Sequence, residues 1–558
     1  SNFSGPFNFS VGGNYLHYET EENYSVFSTP FTLISIHNIG FQGVWDPVNF
    51  TNTEAYCLAN GFDYSDPKKG GGIPTEGCQY IDPNPITNLN NNGHNYFLSQ
   101  NPYVLNSYAG FGEAYYNVTR ELKLTAGARW TDDQKHFLDL PSWVVADGWG
   151  YPVIGEVNQK WNEWTGRFAA NWTPQLDFTN QTLIYGSYSH GYKAGGANPP
   201  GAVFITPSQF VQGANIFDLF PTHPLTFKPE FIDAYELGTK NTMLDGGLTL
   251  NGDVFFYNYK GYQISKIVDR TAINDNFDAT VRGAELEASY EPLPGLKFNF
   301  AGGYEDTSIG KNQYSIDLMD RADRANHPNW IVMKPSVGVA SNCIFPDYVA
   351  AAIVYADNGG GGEGDTFPAS CGVAYTGGLD PATEAPYTAN PSGNSILPGY
   401  HGYDPFAGAA NDPYTGQNTF NGVDYGPAPN NGEGFAKNVG GNELPNAPHF
   451  TTSLSAEYTM PVSEDWAATL HSDFYWQSQS FARVFNDRPF DKIRGYSNVN
   501  LAFILTSANG WQVLGYLKNV FDTTAITGTF LNSDDTGLTN NVFLTDPRLF
   551  GVRVTKNW

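Results

Sequence analysis

Four cysteines offer the first recognisable chemistry in this 558-residue sequence, and they fall as two local pairs, Cys57/Cys78 and Cys343/Cys371. Each pair sits in a polar stretch rich in Gly, Pro and Asn, where free thiols would lie exposed. Disulfides are therefore expected, and with them an oxidising compartment. Three pairings are possible, and proximity favours the local one. Asp357, Glu363 and Asp365 flank the run Gly359–Gly362 and carry the hard oxygen ligands that Ca²⁺ takes, although their spacing matches no known loop. The ten histidines follow no metal-ligand rhythm, and His190 and His471 read as lumen or interface residues rather than ligands. No phosphate-binding loop, GxSxG elbow or HExxH motif occurs. Carboxylates are so numerous that chance proximity explains any pair. Neither an enzyme nor a cofactor is expected.

Composition narrows the elements that must hold these groups. Aromatic residues make up 15% of the chain and charged residues another 15%, whereas soluble domains carry about 25% charged residues. No apolar run approaches the roughly 18–20 residues that a membrane-crossing helix needs. A transmembrane β-strand escapes that test, because it shows lipid only its alternate residues. The net charge of −27 leaves no basic stripe, so nucleic acid is excluded as a partner. Solvated loops of a secreted or cell-surface protein account for the acidity, and a cation-attracting vestibule is the alternative.

Period-two alternation is the main signal. Leu296, Phe298, Phe300, Gly302 and Tyr304 share one parity, against Lys297, Asn299, Ala301, Gly303 and Glu305. Leu122–Thr131, Thr452–Met460 and Ala467–Gln477 alternate in the same way. A soluble sandwich would also alternate, but the aromatics gather near strand ends (Trp130, Tyr304, Tyr458, Trp466, Trp476, Trp511), as at a membrane interface. About fourteen strands are expected, among them 6–18, 106–117, 161–173 and 547–558. Short turns such as Val118–Arg120, Pro292–Gly295 and Ser507–Gly510 alternate with long connections, 19–105, 193–229, 268–278, 308–446 and 522–546 among them. Sorting of loops by parity marks an all-β transmembrane antiparallel barrel with tight periplasmic turns and long extracellular loops.

Several stretches carry a more specific likeness. Val118-Thr119-Arg120-Glu121-Leu122 with Leu124 through Thr131, Tyr185 through Asn198, and Phe227-Lys228-Pro229-Glu230 followed by Tyr235–Lys240 come first. Asn276 with Gly283-Ala284-Glu285-Leu286-Glu287, Leu517–Asp522, and Pro547-Arg548 with the terminal aromatic follow. Together, and in this order, they resemble TonB-dependent outer-membrane receptors over nearly the whole chain.

The resemblance implies a barrel of twenty-two strands around a plug. This sequence opens on a strand at Phe7–Tyr18, so its strands are read as the C-terminal part of that barrel, with plug and first strands outside it. A free-standing barrel of about fourteen strands is the alternative. By parity Glu236, Lys240, Glu285 and Glu287 are expected to face the lumen in structural charge pairs and hydrogen bonds, with Gly238 and Gly283 at crowded or bent positions. Val552, Val554 and Trp558 resemble the terminal aromatic strand read by the barrel-assembly machinery, although Trp stands where the family usually has Phe. The implied function is active import across the bacterial outer membrane, driven by the TonB-ExbB-ExbD complex through the plug. The implied cargo is a scarce bulky solute, most often a ferric siderophore, with haem, cobalamin or an oligosaccharide as alternatives. Passive diffusion through a smaller barrel and a surface adhesin anchored by its barrel remain open. Substrate contacts are expected in loops 193–229, 308–446 and 522–546, without assignment to single residues. Outer-membrane lipid is the remaining expected partner.

Overall fold

Alternation along the sequence becomes one antiparallel sheet in the structure, because each strand offers an apolar row and a polar row that only a two-faced wall satisfies at once. The structure is a computed structural model that describes residues 5–27, 95–139, 143–144, 155–198, 226–268, 271–333, 343–347, 419–420, 423–424, 429, 434–487, 489–531 and 539–558. The strands are β1 (Phe7–Phe27), β2 (Asn95–Asn117), β3 (Leu122–Asp139), β4 (Gly155–Trp172), β5 (Gln181–Lys193), β6 (Glu230–Met243) and β7 (Leu248–Val268). They continue as β8 (Thr271–Leu293), β9 (Leu296–Ile309), β10 (Phe450–Pro461), β11 (Trp466–Gln477), β12 (Tyr496–Ser507), β13 (Trp511–Lys518) and β14 (Leu549–Lys556). Each pairs with the next in chain order, and among the described residues β1 and β14 are the two edges. The expected number and order of strands are both found.

Several strands outrun their expected ends. β1 and β2 stay paired through Glu19↔Val104 and Glu22↔Asn101 to Phe27↔Asn95, and β4 begins at Gly155. The expected connection 268–278 is largely strand, since β7 and β8 pair out to Val268↔Thr271. In these overhangs the backbone ladder persists past the alternating stretches 6–18 and 161–173. Apolar alternation is no longer required there, and the sequence signal lapses.

The two faces differ as the alternation requires. Leu237, Val254, Leu286, Phe298 and Leu454 are exposed on one side, Phe298 at 39% and Leu454 at 46%. On the other side Ser289 donates to Asn299 Oδ1 at 2.9 Å, and Asn299 Nδ2 donates to Ser455 Oγ at 3.0 Å. Toward the long-loop end the apolar face carries aromatics: Trp130 opposite Trp164, Tyr188 with its ring 5.0 Å from Tyr235, and Tyr304 with its ring 5.1 Å from Phe450. Beyond them the same face turns ionic, with Arg282–Asp306 at 2.6 Å and Lys260–Asp278 at 3.2 Å. An apolar belt bounded by aromatics and then charges is what a bilayer demands of a wall.

A cluster of buried apolar side chains forms at the long-loop end. Phe277, Ala279 and Ile309 of the wall pack there with Val439, Leu444, Ala447 and Val484 of the connections. Small hairpins brace those connections, pairing Tyr314–Ile316 with Ala436–Asn438, Ser480–Phe481 with Lys492–Ile493, and Ile526–Leu531 with Asn540–Leu544. Cys57, Cys78, Cys371 and the stretch Asp357–Asp365 lie outside the described residues, and Cys343 is described only as part of the strand Cys343–Pro346.

Candidate functional site

The polar face of β5–β9 carries the charged residues that parity groups together. Register puts Asp253 opposite both Gly238 and Glu285, and Asn251 opposite both Lys240 and Glu287. Glu236, Lys240, Glu285 and Glu287 thus share one face, as their parity implies. Two of them make contacts with Tyr185. Tyr185 on β5 donates to Glu236 Oε1 at 2.5 Å, and Lys240 Nζ lies 5.9 Å from the centre of the Tyr185 ring. Glu285 and Glu287 are exposed.

Gly238 makes the Tyr185 contact possible. A Cβ at that position would sit 2.6 Å from the tyrosine hydroxyl and 2.7 Å from its ring, so the ring occupies the space a side chain would fill. Crowding rather than bending explains the residue. Gly283 is crowded likewise, by Phe255 and the Tyr304 carbonyl.

Motifs that lie far apart in sequence meet at joints in the wall. The Asn276 amide donates to Lys228 O at 3.0 Å and Gly261 O at 2.6 Å, and its oxygen accepts from Lys228 N at 2.7 Å. Gln263 Nε2 donates to Ala194 O at 3.0 Å and Lys228 O at 3.1 Å, while its backbone N–H donates to Glu230 Oε2 at 2.9 Å. The Gly195-Gly196 stretch joins them, with Lys135 donating to Gly195 O at 2.5 Å and Gln159 to Gly196 O at 3.2 Å. At the other end of the chain Asn519 donates to Thr523 O at 2.9 Å and Asp546 O at 2.8 Å, and Asp522 Oδ1 accepts from Arg548 N at 2.9 Å. These side chains hold backbone that has left the ladder and would otherwise lack partners.

Two histidines are held by carboxylates. His190 lies 2.8 Å from Asp233, which also accepts from the Tyr188 hydroxyl at 2.8 Å. His471 lies 3.2 Å from Glu457 and 2.9 Å from Asp473. Both lie on strands of the wall, His190 on β5 and His471 on β11. The last strand leaves Val552 and Val554 exposed, and Trp558 beyond it is fully exposed.

An ionic core in the connections was not foreseen. Arg483 donates to Asp317 Oδ1 at 2.6 Å and to Asp491 Oδ1 at 2.5 Å, and both carboxylates are fully buried. Lys437 Nζ sits among Asp320 at 2.9 Å, Asp487 at 3.4 Å, Asp317 at 3.6 Å and Asp323 at 3.8 Å. Burial alone would depress the Lys437 ammonium, but the hydrogen bond to Asp320 and the charges of Asp317, Asp320 and Asp487 hold it above the ordinary lysine range. Arg483 is raised against its burial by Asp491 and Asp317 in the same way. These partners lie up to 166 residues apart, and no local pattern announces them.

The sheet resembles that of the ferric yersiniabactin uptake receptor FyuA from Yersinia pestis, at 13% identity and a TM-score of 0.49, covering 83% of this chain and 47% of that one. It also resembles the siderophore receptor PiuA from Acinetobacter baumannii (13% identity, TM-score 0.45, 82% and 44% covered) and the copper transporter OprC (12%, 0.45, 82% and 48%). The chain spans about half the length of these structures. A family description, TonB dependent receptor-like, beta-barrel, matches residues 1–401. The chain belongs to the TonB-dependent receptors, a family of the bacterial outer membrane.

Proposed function

We propose that this chain forms the barrel wall of an active importer in the bacterial outer membrane. The observation that carries the reading is the two-faced sheet, with an exposed apolar belt on one parity and hydrogen-bonded polar rows on the other. Glu236, Lys240, Glu285 and Glu287 line the inner face and serve the wall rather than the cargo. Val552, Val554 and Trp558 present the signal for barrel assembly. Energy comes from the TonB-ExbB-ExbD complex acting through a plug, and the cargo is a ferric siderophore captured by the long loops. Family membership supports this coupling and this class of cargo.

Growth under iron limitation tests the reading. Deleting the gene should abolish growth on one ferric siderophore of a panel, and inactivating TonB should abolish it equally. Uptake that survives loss of TonB would assign the wall to passive diffusion instead. Unchanged growth on every chelate, haem, cobalamin and oligosaccharide would remove import altogether.

A further inference from the structure

At the mouth of the wall the two faces of β7–β9 part company. Outward, Lys260–Asp278 and Arg282–Asp306 are solvated ion pairs. Inward, Phe277, Ala279 and Ile309 are buried to 3% exposure or less beneath Val439, Leu444 and Val484. Ala279 and Phe277 continue the parity of Glu285 and Glu287, so the connections have folded onto the inner face. Backbone and side chain anchor them there. Leu444 N donates to the Thr307 hydroxyl at 2.9 Å, Ile309 N to Asn442 O at 2.8 Å, Glu305 N to His449 O at 2.9 Å, and Ser315 Oγ to Asp275 Oδ2 at 3.2 Å.

Three segments make this body, and they lock to one another as well as to the wall. Asn442 donates to Val484 O at 2.8 Å and Phe485 O at 2.9 Å, and Glu443 N donates to Asn486 Oδ1 at 2.7 Å. Arg483 joins Asp317 to Asp491 across the remaining gap. Separating the segments would leave buried charges without counter-ions, a costly state. Swinging the body off the wall would wet its apolar contact surface and exchange the Leu444 and Glu305 backbone hydrogen bonds for bonds to water.

We propose that residues 310–333, 434–449, 480–487 and 489–493 form a fixed shelf on the inner face of the mouth, which sets the size of solute that enters. Cargo passes beside the shelf, and the shelf does not swing aside. Arg483 is its positioning residue. The proposal rests on the reading of the sheet as a barrel wall.

Thiol labelling of intact cells tests it, with the parent chain as background. A Glu285→Cys thiol lies about 14 Å below Val281 at roughly 3.4 Å per residue. It should react with a small methanethiosulfonate and be shielded from a polyethylene-glycol maleimide. Adding Arg483→Ala should raise the bulky reagent's rate at least about tenfold, as a weakened local lock opens more often. A Thr307→Cys/Leu444→Cys pair tethers shelf to wall and keeps the test alive if the arginine variant misfolds. Oxidising that pair should leave both rates at position 285 unchanged. Bulky labelling in the parent as fast as small labelling, no change with Arg483→Ala, or loss of small-reagent access on tethering would each overturn the shelf. A thiol at 285 inert to both reagents, with one at Leu286 reactive toward them, would overturn the wall reading itself.

Discussion

Arg167 on β4 reaches the Glu113 carboxylate on β2 at 2.6 Å with a whole strand between them. Register sets Gly127 of β3 directly between the two residues. A Cβ there would lie 3.2 Å from Glu113 Cγ, so the missing side chain leaves the lane along which the pair meets. Gly127 belongs to the Leu124–Thr131 stretch that carried the family likeness, and this contact supplies a physical reason for it.

Gly127→Leu should force the pair apart and cost about 1–3 kcal/mol through overpacking. Arg167→Ala should cost no more than about 1 kcal/mol, because Arg167 is more than half exposed and water screens the pair. Urea unfolding of the vesicle-reconstituted protein measures both, and equal costs would assign the effect to the ion pair instead of the space.

Tyr185 and Gly238 should behave as one unit. Gly238→Val is expected to cost about 1–3 kcal/mol because the tyrosine ring fills its space. In a Tyr185→Ala background the same substitution should cost markedly less, and a double-mutant cycle reads the coupling. Additive costs would mean that the ring does not govern the glycine.

The lipid face carries a sharper penalty. Phe298→Arg should destabilise the folded protein by about 2–4 kcal/mol if it lies near the bilayer midplane. Asn299→Asp, one residue along on the polar face, should cost far less. Reversible folding into vesicles compares them, and similar costs would contradict the assignment of faces.

Lys437 gives the shelf a pH dependence at the alkaline end. Its folded pKa is raised, so its contribution is fully present below the unfolded lysine value of about 10.4 and is lost as pH rises through the folded value. Subtilisin digestion should therefore leave 434–449 intact near neutrality and cut it increasingly above about pH 10.5. Lys437→Met should be cut at neutral pH and show no further alkaline step.

What the sequence revealed follows from where lipid constrains it. Phe298 against Asn299 and Leu454 against Ser455 declare their faces because a bilayer permits no other arrangement, and short turns such as Ser507–Gly510 declare the membrane side. Beyond the lipid that constraint ends. The overhangs of β1, β2 and β4, and the β7–β8 hairpin, were therefore missed although their backbone stays paired. Glu113 and Arg167 were legible in principle, since shared parity and an intervening glycine place them together. Asp317, Arg483 and Asp491 were not, because contacts made only in the folded loops leave no periodic trace. Glu236, Lys240, Glu285 and Glu287 share one face by register, and the contacts of Glu236 and Lys240 with Tyr185 are ones that parity alone does not select.

Cysteine substitution at Phe298, Asn299, Leu454 and Ser455 in native outer membranes tests the central claim most directly. The account predicts that a membrane-dissolved maleimide labels positions 298 and 454, while a water-soluble one entering the lumen labels 299 and 455. Water-soluble labelling of 298 and 454 with protection of 299 and 455 would contradict it.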